Sequence, residues 1–353
     1  MTVNALSNSR KLPARYMSCD ISARSIIGPV VCRLRTMETR VVPEIKLASD
    51  HTRANLVIFD NELTPAQVNN LDLSLGIKVI DRTELILQIF ARRARSAEAQ
   101  LQVELAQLQY LVSRIPVSAR QHRFHGGIGM RGPGESPFQL RNEPMRRRIT
   151  AAKRKLEVIQ ERRLRTRKHR AAPTVSLVGY TNAGKSTLLN ALAAAGTYVD
   201  DRLFATLDTK TSPHRLPDGR SVLVTDTVGF IRDLPHGLVA SFRSTLEEVR
   251  ESALLAIVAD ASHPNVRDQL DVVVSTLTGI GAVGVPSILV LNKSDRCEAD
   301  ALAALAREMG ARYPRPMAVS AMHRQGIDAL LERIAECLPP EPVRPTAQGW
   351  REW

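Results

Sequence analysis

Apolar residues follow two different periods along the chain, and each change of period marks a change of element. Leu56-Val57-Ile58-Phe59 is a short apolar run ending at Asp60, the pattern of a buried strand, and Gly76-Ile77-Lys78-Val79-Ile80-Asp81 is a second. Residues 64–75 between them fit a helix, so the unit reads as βαβ with parallel strands. From 85 to 115 the period lengthens: Leu101, Leu105, Leu108, Leu111 or Val112, and Ile115 recur every three or four positions until Pro116. A second helix over about 143–169 carries Ile149, Ala152, Leu156, Ile159 and Arg163 at the same spacing. Two such helices around a loop predict an antiparallel helical hairpin.

After Pro173 strands and helices alternate. Strands are predicted over 174–179, 221–225, 254–259, 287–291 and 317–319, with amphipathic helices over 185–194, 238–251, 264–278, 299–309 and 326–337. That is a doubly wound α/β domain, whose ligands belong at the carboxyl ends of the strands. Before residue 54 little is periodic apart from a candidate strand within 26–34, and the Pro-rich end through Trp350-Arg351-Glu352-Trp353 reads as a loose tail. The predicted organisation is an atypical segment 1–53, a partial α/β subdomain 54–82, a helical hairpin 83–170, an α/β domain 173–338 and a tail 339–353.

Composition alters this picture in few places. A chain of 353 residues has room for two or three domains, and 44% hydrophobic with 24% charged residues is ordinary for a soluble globular protein. No stretch reaches the ~18 consecutive apolar residues of a membrane span, so no integral membrane association is expected. Cys19, Cys32, Cys297 and Cys337 are far apart and form no Cys-x-x-Cys pair, which supports neither a disulfide framework nor a zinc site. A reducing cytoplasm is the expected location and a monomer the expected state. The first forty residues are rich in Arg and Ser, but no apolar signal core follows them.

Charge is the strongest compositional signal. The formal net charge is +13, and +10 of it lies between Arg146 and Arg170, where twelve basic residues face only Glu157 and Glu161. An excess of this kind indicates a polyanionic partner, nucleic acid or an anionic membrane surface, against the plainer reading of a solvated helix face. Arg146, Arg147, Lys153 and Arg154, off the apolar seam, are the candidate contacts. Between the two helices, Gly126 to Glu135 holds five glycines in nine positions together with Arg131 and Pro133. It is either a flexible spacer or a segment whose backbone approaches RNA closely, with Arg131 as a further contact.

The α/β domain carries the chemistry. Gly179-Tyr180-Thr181-Asn182-Ala183-Gly184-Lys185-Ser186 fits the phosphate-loop pattern, follows a predicted strand and, with Thr187, opens a helix. Its N–H groups can wrap a β-phosphate, Lys185 can reach the β- and γ-oxygens, and the Ser186 hydroxyl is a magnesium ligand. Asp226-Thr227-Val228-Gly229 ends the second strand of the domain, placing Asp226 to hold a magnesium-bound water and the Gly229 N–H to sense the γ-phosphate. Asn292-Lys293-Ser294-Asp295 ends a later strand. A carboxylate there accepts both N1–H and the exocyclic amine of guanine, a donor pair that adenine lacks. Ser320-Ala321-Met322 then supplies backbone N–H for the guanine oxygen.

Phe204-Ala205-Thr206-Leu207-Asp208 lies where a first switch loop belongs. Thr206 is the candidate second protein ligand to magnesium, with Thr209 the alternative and a plain loop threonine the remaining reading. Phe230 follows Gly229 where many GTPases place a water-orienting glutamine. Hydrolysis should therefore be slow until a partner reshapes the switches, and no catalytic residue is assigned. Asn182 offers an oxygen to a monovalent cation such as potassium, or else is a local loop cap.

On these motifs the chain resembles the HflX family of translational GTPases from about residue 54 to 338. The carrying segments are Asn55 to Glu62, Gly126 to Glu135, Gly179 to Leu188, Phe204 to Asp208, and Asp226 to Pro235, the last reading Asp-Thr-Val-Gly-Phe-Ile-Arg-Asp-Leu-Pro. The resemblance implies a P-loop GTPase domain preceded by a small α/β unit and a helical hairpin. It also implies a partner-activated GTPase that binds GTP/GDP with Mg2+, docks on the large ribosomal subunit and its ribosomal RNA, and separates stalled ribosomes. An RNA-docking protein without splitting activity, a P-loop kinase and a membrane-surface protein are the competing readings, the kinase opposed by Asn292 to Asp295. Two departures stand out: the Gly-Lys-Gly segment typical of the family's opening is missing before residue 54, and Pro137 and Pro144 follow the Gly-rich segment. The two prolines are expected to delay the second helix to about residue 142.

Overall fold

The structure is a computed structural model that describes residues 22–23, 30–32, 42–114, 137–168, 172–193, 210–231 and 248–339. Contacts divide the chain into two units, Met1–Arg92 with Gln100–Leu156, and Arg93–Ala99 with Glu157–Trp353. Among the described residues no helix is long and apolar enough to cross a membrane.

The first unit contains a four-stranded sheet in the order β1-β2-β3-β4, from β1 (Ser22–Ala23), β2 (Val30–Cys32), β3 (Leu56–Phe59) and β4 (Lys78–Asp81). Strands β2, β3 and β4 run parallel, β1 antiparallel to β2. The α/β unit thus starts well before residue 54, and helix α1 (Val42–Thr52) belongs to it through Ile45, which packs with Val57, Phe59 and Val79. Helix α2 (Pro65–Leu75) is set locally. The Thr64 side chain accepts from the Gln67 N–H, the Gln67 side chain accepts from the Thr64 N–H, and Pro65 starts the first turn. Gly76 ends the helix at φ 69°, in the left-handed region.

The predicted continuous helix over 85–115 is two helices, α3 (Arg82–Arg93) and α4 (Ala97–Ser113). The Ser96 hydroxyl accepts the Ala99 N–H at 3.0 Å and caps the second, a break that apolar spacing does not reveal. The fully buried Asp81 ties the end of β4 to both. It accepts from the Leu63 N–H (3.1 Å), the Glu84 N–H (2.8 Å) and the Tyr110 hydroxyl (2.8 Å), and it pairs with Arg114. Burial and the Asp81 charge push the Tyr110 hydroxyl far above the usual phenol range.

Helix α5 (Pro137–Lys168) corrects the second expectation. It starts at Pro137 and runs through Pro144. Proline at the first helical position loses no hydrogen bond, and Pro144 removes one bond from a helix of 32 residues. Leu101 and Leu105 of α4 pack against Ile149, Ala152 and Leu156 of α5, the seam that the spacing predicts. The Gly-rich segment, with Arg131 and Glu135, lies outside the described residues.

The second unit is built on a six-stranded sheet in the order β10-β9-β8-β5-β7-β6. Its strands are β5 (Thr174–Gly179), β6 (Lys210–Arg215), β7 (Ser221–Asp226), β8 (Leu254–Asp260), β9 (Ser287–Asn292) and β10 (Met317–Ala318), and all neighbours pair in parallel except β6 with β7. Residues of β8 alternate between two cores. Leu254, Ala256 and Val258 join α6 (Lys185–Ala193) and α9 (Ile327–Cys337) on one side. Leu255, Ile257 and Ala259 join α7 (Val266–Gly279) and α8 (Ala299–Gly310) on the other, the two-sided burial of a parallel central strand. Strand β6 was not predicted. Its Lys-Thr-Ser-Pro-His-Arg sequence has no apolar alternation, and Pro213 is tolerated because β6 is an edge strand. Most of the helix predicted over 238–251 lies outside the described residues, as does the tail beyond 339. Arg220 closes the end of α9 by donating to the Ala335, Leu338 and Pro339 carbonyls.

Candidate nucleotide-binding site

Four loops at the carboxyl ends of β5, β7, β9 and β10 converge on one place. Leaving β5, the phosphate loop turns through Asn182 at φ 62° and Gly184 at φ 90°, both left-handed. A Cβ on Gly184 would stand 2.2 Å from the Asn292 side-chain nitrogen, so only glycine lets the base-recognition strand come this close. Lys185 starts α6, is buried, and donates to the Gly179 carbonyl at 3.1 Å and the Tyr180 carbonyl at 2.9 Å.

Burial lowers the Lys185 ammonium to about pKa 8, with the nearby Asp226 charge working the other way. A phosphate beside it would hold the proton on. Nucleotide binding is therefore expected to take up a proton at pH 8 and above. Affinity should weaken as pH rises past 8, by at most about tenfold per pH unit. Calorimetry at pH 8 in two buffers of different ionisation heat reads that proton directly, and equal heats would exclude it.

From β7, Asp226 and Gly229 meet the phosphate loop. The Ser186 hydroxyl donates to Asp226 Oδ2 at 2.6 Å, so a hydroxyl and a carboxylate stand together beside the helix N-terminus. Two hard oxygen donors in that position fit Mg2+. A Cβ on Gly229 would lie 2.9 Å from Thr181 Cα and 3.1 Å from Lys185 Nζ. The Thr227 hydroxyl donates to the Leu177 carbonyl at 2.7 Å, anchoring this turn to β5. Phe230 is buried in the core, with its N–H on the Gly179 carbonyl (3.0 Å) and its carbonyl accepting from Thr181 (2.9 Å). Its ring orients no water. Phe204, Ala205, Thr206, Leu207, Asp208 and the alternative Thr209 lie outside the described residues.

The base-recognition loop is fastened on both sides. Asn292 donates to the Ala183 carbonyl at 2.9 Å and accepts from the Ala321 N–H at 3.1 Å. The Ser320 hydroxyl donates to Asp295 Oδ1 at 2.5 Å and holds this carboxyl below the ordinary range. Lys293 reaches the Asn182 carbonyl at 2.8 Å and Asp260 at 2.8 Å. Burial works against the Asp260 charge, but hydrogen bonds from Lys293 and Ser262 outweigh it and lower its pKa. Asp260 carries one signal in the sequence, an acid ending an otherwise apolar strand, and no motif marks it. Met322 is exposed.

In the other unit Arg146, Arg147, Lys153 and Arg154 lie exposed on α5, Arg147 paired with Glu143 at 3.0 Å. Arg148 is tied to Glu104 of α4 at 2.5 Å.

Three family models match the chain. "GTP-binding GTPase N-terminal" matches residues 36–91, "GTP-binding GTPase Middle Region" 93–170 and "50S ribosome-binding GTPase" 174–293. The GTPase HflX of Caldanaerobacter subterraneus is 46% identical over 82% of this chain and 67% of its own length. That of Alkalihalophilus pseudofirmus is 50% identical over 72% and 61%, and that of Escherichia coli 43% over 86% and 72%. The match thus spans between three-fifths and three-quarters of these relatives. The family models together run from residue 36 to 293, and with relatives above 40% identity over four-fifths or more of the chain, the chain belongs to the HflX family of GTPases.

Proposed function

We propose that the chain binds GTP at the four converging loops, hydrolyses it to GDP and phosphate, and couples that cycle to docking on the large ribosomal subunit. The observation that carries the nucleotide reading is the convergence itself. A buried lysine, a hydroxyl–carboxylate pair and an anionic Asp295 lie at the carboxyl edge of one sheet. Lys185 and the phosphate-loop N–H groups hold the phosphates, and the Gly229 N–H senses the γ-phosphate. Ser186 would ligate Mg2+ directly, Asp226 through water, and Thr206 would complete the protein ligands. Bound there, the ion neutralises charge on the phosphoryl oxygens. Asp295 accepts N1–H and the amine of guanine, and Ser320, Ala321 and Met322 line the base. With Phe230 in the core, the residue after Gly229 positions no water, so turnover is slow until a partner acts. Asn182 would hold a potassium ion near the phosphates.

For the partner, the basic face of α5 and the family description of the GTPase region as ribosome-binding both favour ribosomal RNA. Release of stalled ribosomes is the proposed outcome. The test is GTP turnover in potassium buffer with and without purified large subunits. A stimulation of tenfold or more, about 1.4 kcal/mol off the barrier, is expected. A flat response with GDP still bound would remove the ribosomal half of the reading and leave the nucleotide site standing. Co-sedimentation with subunits but an unchanged ribosome profile would remove splitting alone.

A further inference from the structure

The base-recognition motif contains a lysine whose ammonium is held from outside the motif. Strands β8 and β9 are neighbours with Asp260 opposite Asn292 in register, so the strand ends bring Asp260 beside Lys293. Asp260 Oδ1 accepts both the N–H (3.1 Å) and the hydroxyl (2.6 Å) of Ser262. That grip aims Oδ2 at Lys293 Nζ, 2.8 Å away. The same ammonium donates to the Asn182 carbonyl at 2.8 Å, where the phosphate loop is left-handed. Lys293 Cε lies 3.9 Å from where a Gly184 Cβ would stand, so the methylene stem crosses the phosphate loop.

We propose that Asp260 is a positioning residue for nucleotide binding, acting through Lys293 to draw the base-recognition loop onto the phosphate loop and to stretch the lysine stem into a wall beside the purine. This rests on the nucleotide reading given above. The Asp260 and Lys293 side chains are only 12% and 17% exposed, so solvent screens the pair less than a surface ion pair. Without the carboxylate the ammonium keeps one neutral acceptor. Solvation then pulls it outward, and the tie between the loops loosens.

The test uses the full chain loaded with a fluorescent GDP analogue. Asp260→Asn keeps an acceptor for Ser262 and removes the charge facing Lys293. It is expected to speed GDP release about tenfold, intermediate between exposed and buried pairs. Lys293→Met should show a loss of similar size, and Asp260→Asn added to it should change little, because one acts through the other. Asp260→Glu, which restores the carboxylate, should recover part of the loss. A structural role confined to the Ser262 turn predicts losses that multiply. Multiplying losses, or wild-type release from Asp260→Asn, would overturn the proposal. Failure of the unaltered chain to retain GDP would overturn the nucleotide reading and the proposal together, a distinct result.

Discussion

Asp295→Asn is expected to move nucleotide preference from guanine to xanthine, with affinity for GDP falling about a hundredfold or more. Asp295 is held by the Ser320 hydroxyl at 2.5 Å, which lowers its pKa and keeps it an anion that only accepts. Guanine presents two adjacent donors, N1–H and the exocyclic amine, and a carboxylate meets both. An amide in the same place offers one acceptor and one donor, so its NH2 faces the guanine amine. Xanthine carries a carbonyl at that carbon and suits the amide. The loop itself should survive, since Asn292 keeps its bonds to Ala183 and Ala321 whatever stands at 295. Displacement of a fluorescent nucleotide by GDP and by XDP measures both affinities. An unchanged preference for GDP would show that Asp295 does not read the base.

Gly179→Ala is expected to cost about 3 kcal/mol of stability and to lower the melting temperature of the α/β unit by ~6–12 °C. A Cβ at Gly179 would stand 2.2 Å from the Val258 carbonyl oxygen and 3.1 Å from its carbon. Val258 lies in β8 beside Gly179 in the parallel ladder and is buried, so the obstruction is backbone that cannot swing aside. Relief requires parting β5 from β8 at the point where Gly179 also accepts from Lys185 and Phe230. Gly219→Ala provides the comparison. That glycine has φ 88° in the β6–β7 turn but nothing within 4 Å of its Cβ, so only backbone strain of about 1–2 kcal/mol applies. Thermal unfolding of the two variants separates the effects. Equal shifts would mean that the crowding against β8 carries no weight.

Features set by neighbours in sequence were legible in the sequence. The phosphate loop needs particular residues at fixed offsets, and β8 needs an apolar run whatever surrounds it. Helix α5 shows the limit of local rules. Pro144 lowers local propensity, yet the 32-residue helix with its Leu101, Leu105, Ile149, Ala152 and Leu156 seam passes through it. Strand β6 shows the converse, for a polar edge strand is formed by its partner β7 rather than by its own pattern.

By itself, then, the sequence determined the alternation of strands and helices in the α/β unit and the places of the phosphate loop, Asp226 to Gly229 and Asn292 to Asp295, because short-range spacing and backbone chemistry decide these. Tertiary structure alone decided which distant charges meet. Asp260 reaches Lys293 only because β8 and β9 are adjacent in the order β10-β9-β8-β5-β7-β6. Asp81 gathers Leu63, Tyr110 and Arg114 only because β4 ends beside α4. A buried carboxylate must find donors wherever the fold brings them, and no interval along the chain specifies that distance in space.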